Sequence, residues 1–175
     1  MSPSGTSKYV ITELKLPEAK RKLAEHYATY AKRILWMDGD VVEGAFHMNT
    51  AWFMNATDAT TEDQAHVHQA DEIIGFFGSD PTDPYDLGGE VEIWLEEDKH
   101  AITSSTLIFV PAGMKHCPMI LTRVDRPIFH FTVVVAGAYE LREKGRRPPT
   151  ASNDAPLTRD GAEPAAPVSP RCAPL

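Results

Sequence analysis

Cysteine is almost missing from this 175-residue chain, which contains only Cys117 and Cys172. The two residues do not form a CxxC pair, and Cys172 lies in a proline-rich C-terminal stretch. We therefore expect neither a disulfide framework nor a zinc site built from thiolates.

Positive charge is also scarce, because 17 Lys and Arg residues stand against 25 Asp and Glu residues, for a formal net charge of −8. Binding to nucleic acid or to an anionic membrane surface depends on Lys and Arg, so we expect neither partner. No stretch is apolar for long enough to span a bilayer, and the first residues, MSPSGTSKYV, lack the layout of a secretion signal. These absences predict a soluble, cytoplasmic protein.

The chain is long enough for one domain with a hydrophobic core, and its pattern changes twice along its length. Apolar residues recur at helical spacing from about Pro17 to Leu35, which predicts a helix within an N-terminal segment of residues 1–38. Residues 39–144 are predicted to form a β-barrel on which this helix packs. Residues 145–175 hold half of the prolines and few large apolar side chains, so we expect a flexible tail there.

The central segment has the pattern of short strands separated by turns. GAFHMNTAWFM alternates with a period of two residues, which places His47, Asn49, Ala51 and Phe53 on one face of a strand. Further strand candidates are DEIIGFF, EVEIWLE, STLIFVP and RPIFHFTVVVAG, and SDPTDPYDLGG is typical of a loop. Because no helical pattern separates these strands, we expect an antiparallel, all-β sandwich or barrel.

Four good metal ligands occur in two separate stretches of this strand-rich segment. His66 and His68 are two residues apart, so in an extended chain both imidazoles point to the same side, and Glu72 follows four residues later. In the second stretch, FVPAGMKHCPM, a tight Pro-Ala-Gly turn precedes His116. Two strand pairs of one barrel can bring His116 opposite the first three side chains.

The two stretches resemble the motifs of the cupin superfamily. The first cupin motif, HxH followed by a glutamate, is His66-Val-His68-Gln-Ala-Asp-Glu72, and the second, PxG followed by a histidine, is Pro111-Ala-Gly113-Met-Lys-His116. The resemblance implies a jelly-roll barrel (a double-stranded β-helix) and one divalent metal held by His66, His68, Glu72 and His116. Thr60, Ser105 and Ile120 depart from the family pattern, but none of them is at a ligand position.

Three imidazoles and one carboxylate leave about two coordination positions of a six-coordinate transition metal open for substrate or water. Our first hypothesis is a dioxygenase-type oxidoreductase that acts on a small oxygenated compound, aromatic or enol, with Fe(II) favoured and Mn, Ni or Zn as alternatives. A second hypothesis is an isomerase, lyase or decarboxylase that uses the metal as a Lewis acid. A third is a module that binds a small molecule without chemistry. A small barrel has exposed sheet edges, which favours a homodimer.

Further side chains are candidates for the cavity around this metal. His130 and His47 lie on alternating strands; either is a packing residue, or it faces the cavity and acts as a catalytic base. Ile74 and Phe76 share strand parity with Glu72 and are predicted to wall the cavity. The complete set of predicted substrate-binding residues is Asn49, Ile74, Phe76 and Trp94, although Trp94 equally suits a plain core position. Cys117 follows a ligand in a strand, so alternation predicts that it points away from the metal.

Overall fold

The structure of the protein is a computed structural model that describes residues 5–22, 24–57 and 64–135. The first elements are a 3-10 turn, Ser7–Tyr9, and two short helices, α1 (Glu18–Arg21) and α2 (Ala24–Tyr30). Eight strands follow within the described residues: β1 (Ala31–Met37), β2 (His47–Phe53), β3 (Glu72–Phe77), β4 (Asp86–Leu95), β5 (Asp98–Ser104), β6 (Thr106–Val110), β7 (His116–Val124) and β8 (Ile128–Val134).

The strands pair into two antiparallel sheets. One sheet has five strands in the order β1-β2-β8-β3-β6, and the other has three in the order β5-β4-β7. Strands that are distant in sequence are neighbours in space, since β8 lies between β2 and β3, and β4 lies between β5 and β7. This arrangement of two sheets confirms the predicted all-β, cupin-type jelly-roll barrel.

The hydrophobic core fills the space between the two sheets. Its fully buried side chains come from both sheets and include Phe53, Phe76, Leu87, Val91, Ile93, Leu121 and Ile128. On β2, alternate residues His47, Asn49, Ala51 and Phe53 are buried, which confirms the period-two pattern of that segment. Two inward positions of β2 are therefore polar, and they mark the side of the barrel where the site lies.

The helix predicted from Pro17 to Leu35 is wrong after Tyr30. From Ala31 onward the chain forms β1, which pairs with β2 and so belongs to the five-stranded sheet. The apolar residues of RILWM suit a strand as well as a helix, and the pairing with the edge of β2 decides between the two. The preceding helix does pack on the barrel, because the ring of Tyr30 lies 6.4 Å from that of Phe53.

Two more strand boundaries differ from the prediction. β5 follows β4 after a tight turn at Glu96, where φ is +52°, although its sequence DKHAITS has little apolar character. β4 begins at Asp86, inside the predicted loop, where Gly88 has a φ of +68° and the pairing with β5 is irregular. The predicted tail at residues 145–175 lies outside the described residues. None of the described helices has the length and apolar character needed to cross a membrane.

Candidate metal centre

The four ligand candidates meet at one point inside the barrel. His66 and His68 precede β3, Glu72 is the first residue of β3, and His116 is the first residue of β7. Each offers one ligand atom, and these atoms all lie within 4.8 Å of one another. His68, Glu72 and His116 are at most 4% exposed, and His66 is partly exposed. Three of the four ligand candidates are therefore buried, and solvent reaches part of His66.

Backbone hydrogen bonds join the two segments that supply these ligands. The N–H of His66 donates to the carbonyl of His116 over 3.0 Å, and the N–H of His116 donates back over 3.1 Å. The N–H of Gly113 donates to the carbonyl of His68 over 2.8 Å. The positions of His66, His68 and His116 are thus set by the main chain rather than by side-chain packing alone.

The turn before His116 requires a glycine. Gly113 has a φ of +86°, in the left-handed region that L-residues with a Cβ disfavour. The N–H of Met114 closes the turn by donating to the carbonyl of Pro111 over 3.0 Å. The Pro-Ala-Gly sequence therefore reverses the chain so that β7 starts with His116 facing the cluster.

The hydrogen bonds of the imidazole rings leave their other nitrogens available as ligands. Nδ1 of His66 lies 2.5 Å from the carbonyl oxygen of Gln64, and Nδ1 of His116 lies 3.1 Å from that of Met114. Since a carbonyl oxygen only accepts, both Nδ1 atoms carry a proton, and each neutral ring presents an Nε2 lone pair. The Nε2 atom of His116 lies 2.9 Å from the carboxylate of Glu72, and His66 offers a ligand atom to the same cluster.

This donor set fits a divalent cation. Oε2 of Glu72 lies 2.9 Å from Nε2 of His116 and 3.2 Å from Nε2 of His68. An ionised carboxylate and neutral imidazole nitrogens are all acceptors, so they repel one another unless a cation or protons lie between them. Three nitrogens and one oxygen of intermediate softness suit a first-row transition metal. The His-His-Glu-His group can thus hold a metal ion.

The electrostatics of Glu72 favour its charged form. Burial raises the pKa of this carboxyl group. When protons rather than a cation lie between these groups, hydrogen bonds from His116 and then from His68 outweigh burial and lower the pKa to about 2. Glu72 is therefore ionised at neutral pH, as a metal ligand must be.

A narrow cavity leads to the cluster, with about 40 Å³ of space for the centres of water-sized molecules. One water needs roughly 10–15 Å³ of such space, so the cavity holds about three waters or a ligand of a few heavy atoms. Apolar walls come from Ile74, Ile93 and Met119, and polar groups from Asn49 and Thr132. The site suits a small molecule rather than a polymer segment.

His130 lines this cavity in a fixed orientation. Its ring packs against that of Phe53, at 4.6 Å between centroids, and against that of Phe76, at 5.1 Å. Its Nδ1 donates to the carbonyl of Gly75 over 3.1 Å, because a carbonyl cannot donate. In the neutral ring the proton is therefore on Nδ1, and Nε2 is an acceptor.

His47 also lines the cavity and is 1% exposed. Burial lowers its pKa from the ordinary 6.5 to about 4, against the opposing charges of Glu72 and Asp38. The ring packs against Trp36, with 4.4 Å between centroids. At neutral pH His47 is thus an uncharged imidazole in a buried position.

Only some of the predicted substrate-binding residues line the cavity. Asn49 and Ile74 line the cavity, whereas Phe76 is fully buried and packs behind the ring of His130. The prediction for Trp94 is wrong, because it alternates with the buried Ile93 and lies on the other face of β4. There its ring lies 5.6 Å from Nζ of Lys99.

Cys117 is a second correction. It is buried and lines the cavity, although it directly follows the ligand His116. Its φ of +64° breaks the regular alternation of the strand, so neighbouring residues do not face opposite sides at this point. A single-sequence pattern cannot reveal such a backbone conformation for a residue other than glycine.

The sequence analysis missed several residues that line the cavity, among them Lys20, Arg33 and Trp36. All three lie in the segment that was predicted as one helix. No functional side chain was predicted within that helix. Arg33 and Trp36 both face inward because the register of β1 shifts between Arg33 and Leu35, which leaves Ile34 as an extra residue. The sequence of one chain carries no signal for this bulge, because the bulge is defined by the pairing of β1 with β2.

No protein-family model matches the sequence, and no curated protein matches it significantly. Among solved structures, the chain is similar to a recombinant oxalate oxidase in complex with glycolate, at 13% identity over 81% of this chain and 66% of that one, with a TM-score of 0.49. It is similar to KdgF from Halomonas sp. at 15% identity over 59% of this chain and 76% of that one, with a TM-score of 0.36. A cupin protein from Bacteroides fragilis matches at 12% identity over 73% and 89% of the two chains, with a TM-score of 0.37. At these identities, a function has to be inferred from the side chains of this chain.

Proposed function

We propose that the protein is a metal-dependent enzyme that holds one divalent transition metal on His66, His68, Glu72 and His116 and acts on a small oxygenated compound. The observation that supports this most directly is the convergence of four ligand atoms within 4.8 Å of one another at a cavity. Fe(II) is the favoured ion, and Mn, Ni and Zn have compatible ligand preferences. The bound ion supplies Lewis acidity and, if it is redox-active, electron transfer to dioxygen.

The reaction type that we favour is a dioxygenase-type oxidation. Ile74, Ile93 and Met119 form apolar walls that exclude water from the substrate. Both substrate types predicted from the sequence, an aromatic compound and an enol, stay candidates.

A second candidate is a non-redox isomerase, lyase or decarboxylase. Two buried imidazoles, His47 and His130, line the same cavity. The lowered pKa of His47 keeps that ring neutral at pH 7, so it can accept a proton from a substrate. In this reaction His130, held by Phe53 and Phe76, orients the substrate or takes the proton through its Nε2.

Oxygen consumption distinguishes the two candidates. Protein loaded with Fe(II), with its metal content confirmed by elemental analysis, is tested with β-diketones, catechols and hydroquinones. Oxygen uptake that requires both substrate and iron supports the dioxygenase, and metal-loaded protein that shows none across the panel contradicts it. Turnover with Zn or Mn in the absence of oxygen supports the second candidate, and His47→Ala or His130→Ala should then reduce turnover while metal content stays unchanged.

The matching control is His68→Ala, which removes one ligand from the cluster. Neither reaction should survive this substitution. A compound that raises the melting temperature and is recovered unchanged from every assay would instead favour the module that binds without chemistry. The homodimer, the cytoplasmic location and the lack of nucleic-acid or membrane partners stay predictions.

A further inference from the structure

Arg33 reaches the metal cavity because of a local irregularity in β1. Arg33 pairs with Ala51 and Trp36 pairs with Asn49, and both partners face the interior of the barrel. In a regular strand, residues three apart face opposite sides, so one of the two would point to solvent. The extra residue at Ile34 changes this parity and directs both side chains inward. Bulges are common next to active sites, where they redirect a side chain.

Aromatic rings hold the guanidinium group of Arg33 in place. Its Cζ lies 4.0 Å from the centroid of Tyr27 and 5.4 Å from that of Trp36. Trp36 is itself anchored, because its Nε1 donates to Oδ2 of Asp38 over 2.8 Å. The planar N–H groups of an arginine match the two oxygens of a carboxylate.

The charges that line the cavity favour an anion. Among the described lining residues, Lys20 and Arg33 carry positive charge, and Glu72 is the one carboxylate. Lys20 is close enough to His47 for its charge to act on that ring. Under the proposed function the charge of Glu72 is neutralised by a divalent cation, so the cavity has a positive excess. A charge inside a partly water-excluded cavity acts more strongly than the same charge on the surface.

We propose that Arg33, assisted by Lys20, is the carboxylate-binding residue of the metal cavity. The substrate class is then a small carboxylic acid of two to four carbons that carries a second oxygen, such as a 2-hydroxy or 2-oxo acid. Its carboxylate binds the guanidinium group of Arg33, and its other oxygen faces the cluster of His66, His68, Glu72 and His116. The size agrees with a cavity that holds about three waters. The contact between the second oxygen and the metal cluster rests on the proposed function, whereas the contact between the carboxylate and Arg33 does not.

Binding of lactate and pyruvate to the full chain tests the inference, with uncharged lactamide as the matched probe. Isothermal titration calorimetry is carried out on Mn-loaded and on metal-free protein. We expect wild-type Mn-loaded protein to bind at least one of the two acids at least tenfold more tightly than lactamide. Arg33→Met should lose at least tenfold in affinity for the acid and leave lactamide binding unchanged, and Arg33→Lys should retain part of the affinity.

Lys32→Met is the control, because Lys32 precedes Arg33 on the same strand and is exposed. It removes the same charge from the chain without altering the cavity, so acid binding should be that of the wild type. Melting temperature and manganese content verify that Arg33→Met still folds, since its unbranched stem can still pack on Tyr27.

The outcomes separate this inference from the proposed function. Equal acid binding by Arg33→Met and Lys32→Met, or no acid binding by Mn-loaded wild type, overturns the carboxylate site and leaves the metal centre standing. Protein that takes up no metal, yet binds acids in a manner that depends on Arg33, rejects the proposed metal enzyme and retains the carboxylate site.

Discussion

Nε2 of His116 lies 2.9 Å from Oε2 of Glu72, although the two residues belong to different sheets. Glu72 starts β3 of the five-stranded sheet, and His116 starts β7 of the three-stranded sheet. A cation held between them connects the sheets at one end of the barrel, in addition to the hydrophobic core. Metal binding and the stability of the whole barrel should therefore be linked.

Loading with metal should raise the melting temperature. A ligand that binds only the folded state at a hundred times its Kd adds about 2.7 kcal/mol, which corresponds to roughly 5–10 °C for a chain of this size. Differential scanning fluorimetry with and without Mn(II), followed by EDTA, measures this shift and its reversal.

His68→Ala should abolish the shift because it removes a buried ligand at the centre of the cluster. His100→Ala is the control, since His100 is an exposed histidine of β5 that does not belong to the ligand set. If both variants responded to Mn(II) as the wild type does, the four side chains would not be the metal site.

The buried ring of His47 should make the protein less stable in mild acid. Its folded-state pKa of about 4 lies below the ordinary 6.5, so between these values the unfolded chain binds the proton more readily. Its contribution is complete above pH 6.5 and is lost as the pH falls toward 4, by up to about 3 kcal/mol. The charged groups that act on this ring are Glu72, Asp38, Lys20 and His68, and a bound cation would lower its pKa further.

Urea denaturation of metal-free wild type and His47→Gln between pH 4 and pH 7 measures this contribution. The variant should lose less stability over the interval, because glutamine does not titrate. The ligand histidines are common to both proteins and cancel in the difference. Parallel stability curves for the two proteins would show that His47 is not held neutral by the fold.

The ligand set could be predicted from sequence because its spacing follows from local geometry. His66 and His68 share a side at a separation of two residues, and the glycine of the Pro-Ala-Gly turn meets a backbone requirement at Gly113. Such rules act over a few residues and are visible in one chain. The all-β class followed in the same way from period-two alternation and the lack of crossover helices.

The rest of the cavity could not be predicted because it depends on irregular backbone and on pairing between distant strands. Arg33 faces inward only because Ile34 is bulged against β2, and Cys117 does so at a positive φ. Trp94 was misplaced because alternation identifies two faces of a strand but not which face is buried. That choice is made by packing against the five-stranded sheet, which buries Ile93 and not Trp94.

Asp38 should matter more to stability than other acids near the surface. It is 4% exposed, and its carboxylate accepts hydrogen bonds from Trp36 Nε1 and from the amides of Asp40 and Val41. Asp38→Ala leaves Nε1 of Trp36 and the amide of Asp40 without this acceptor, whereas the amide of Val41 keeps its bond to the backbone carbonyl of residue 38. The expected cost is about 1–3 kcal/mol for a buried donor. Asp38→Asn keeps one acceptor oxygen and should cost less.

Chemical denaturation of the two variants gives this order, and Asp40→Ala is the control because Asp40 is exposed in the same turn. Without the hydrogen bond from its Nε1 to Asp38, the side chain of Trp36 beside Arg33 should also be held less firmly. An Asp38→Ala protein as stable as Asp40→Ala would contradict a structural role for these hydrogen bonds.

Gly113 and Gly44 allow the strain of a turn to be separated from its role at the metal centre. Their φ values are +86° and +78°, and an added Cβ would meet nothing within 4 Å at either position. Substitution by alanine should therefore cost about 1–2 kcal/mol of folding free energy in both cases, from backbone strain alone.

Metal affinity should distinguish the two glycines. Only Gly113 lies in the turn that precedes His116 and donates its N–H to the carbonyl of His68. Alanine disfavours the left-handed conformation that directs this N–H at His68. Gly113→Ala should thus weaken Mn(II) binding by roughly tenfold, which is the effect of losing a supporting contact at other metal sites, whereas Gly44→Ala should keep wild-type affinity. Calorimetric titration of both variants decides the point, and equal affinities would mean that His116 is held by its pairing with His66 and not by the turn.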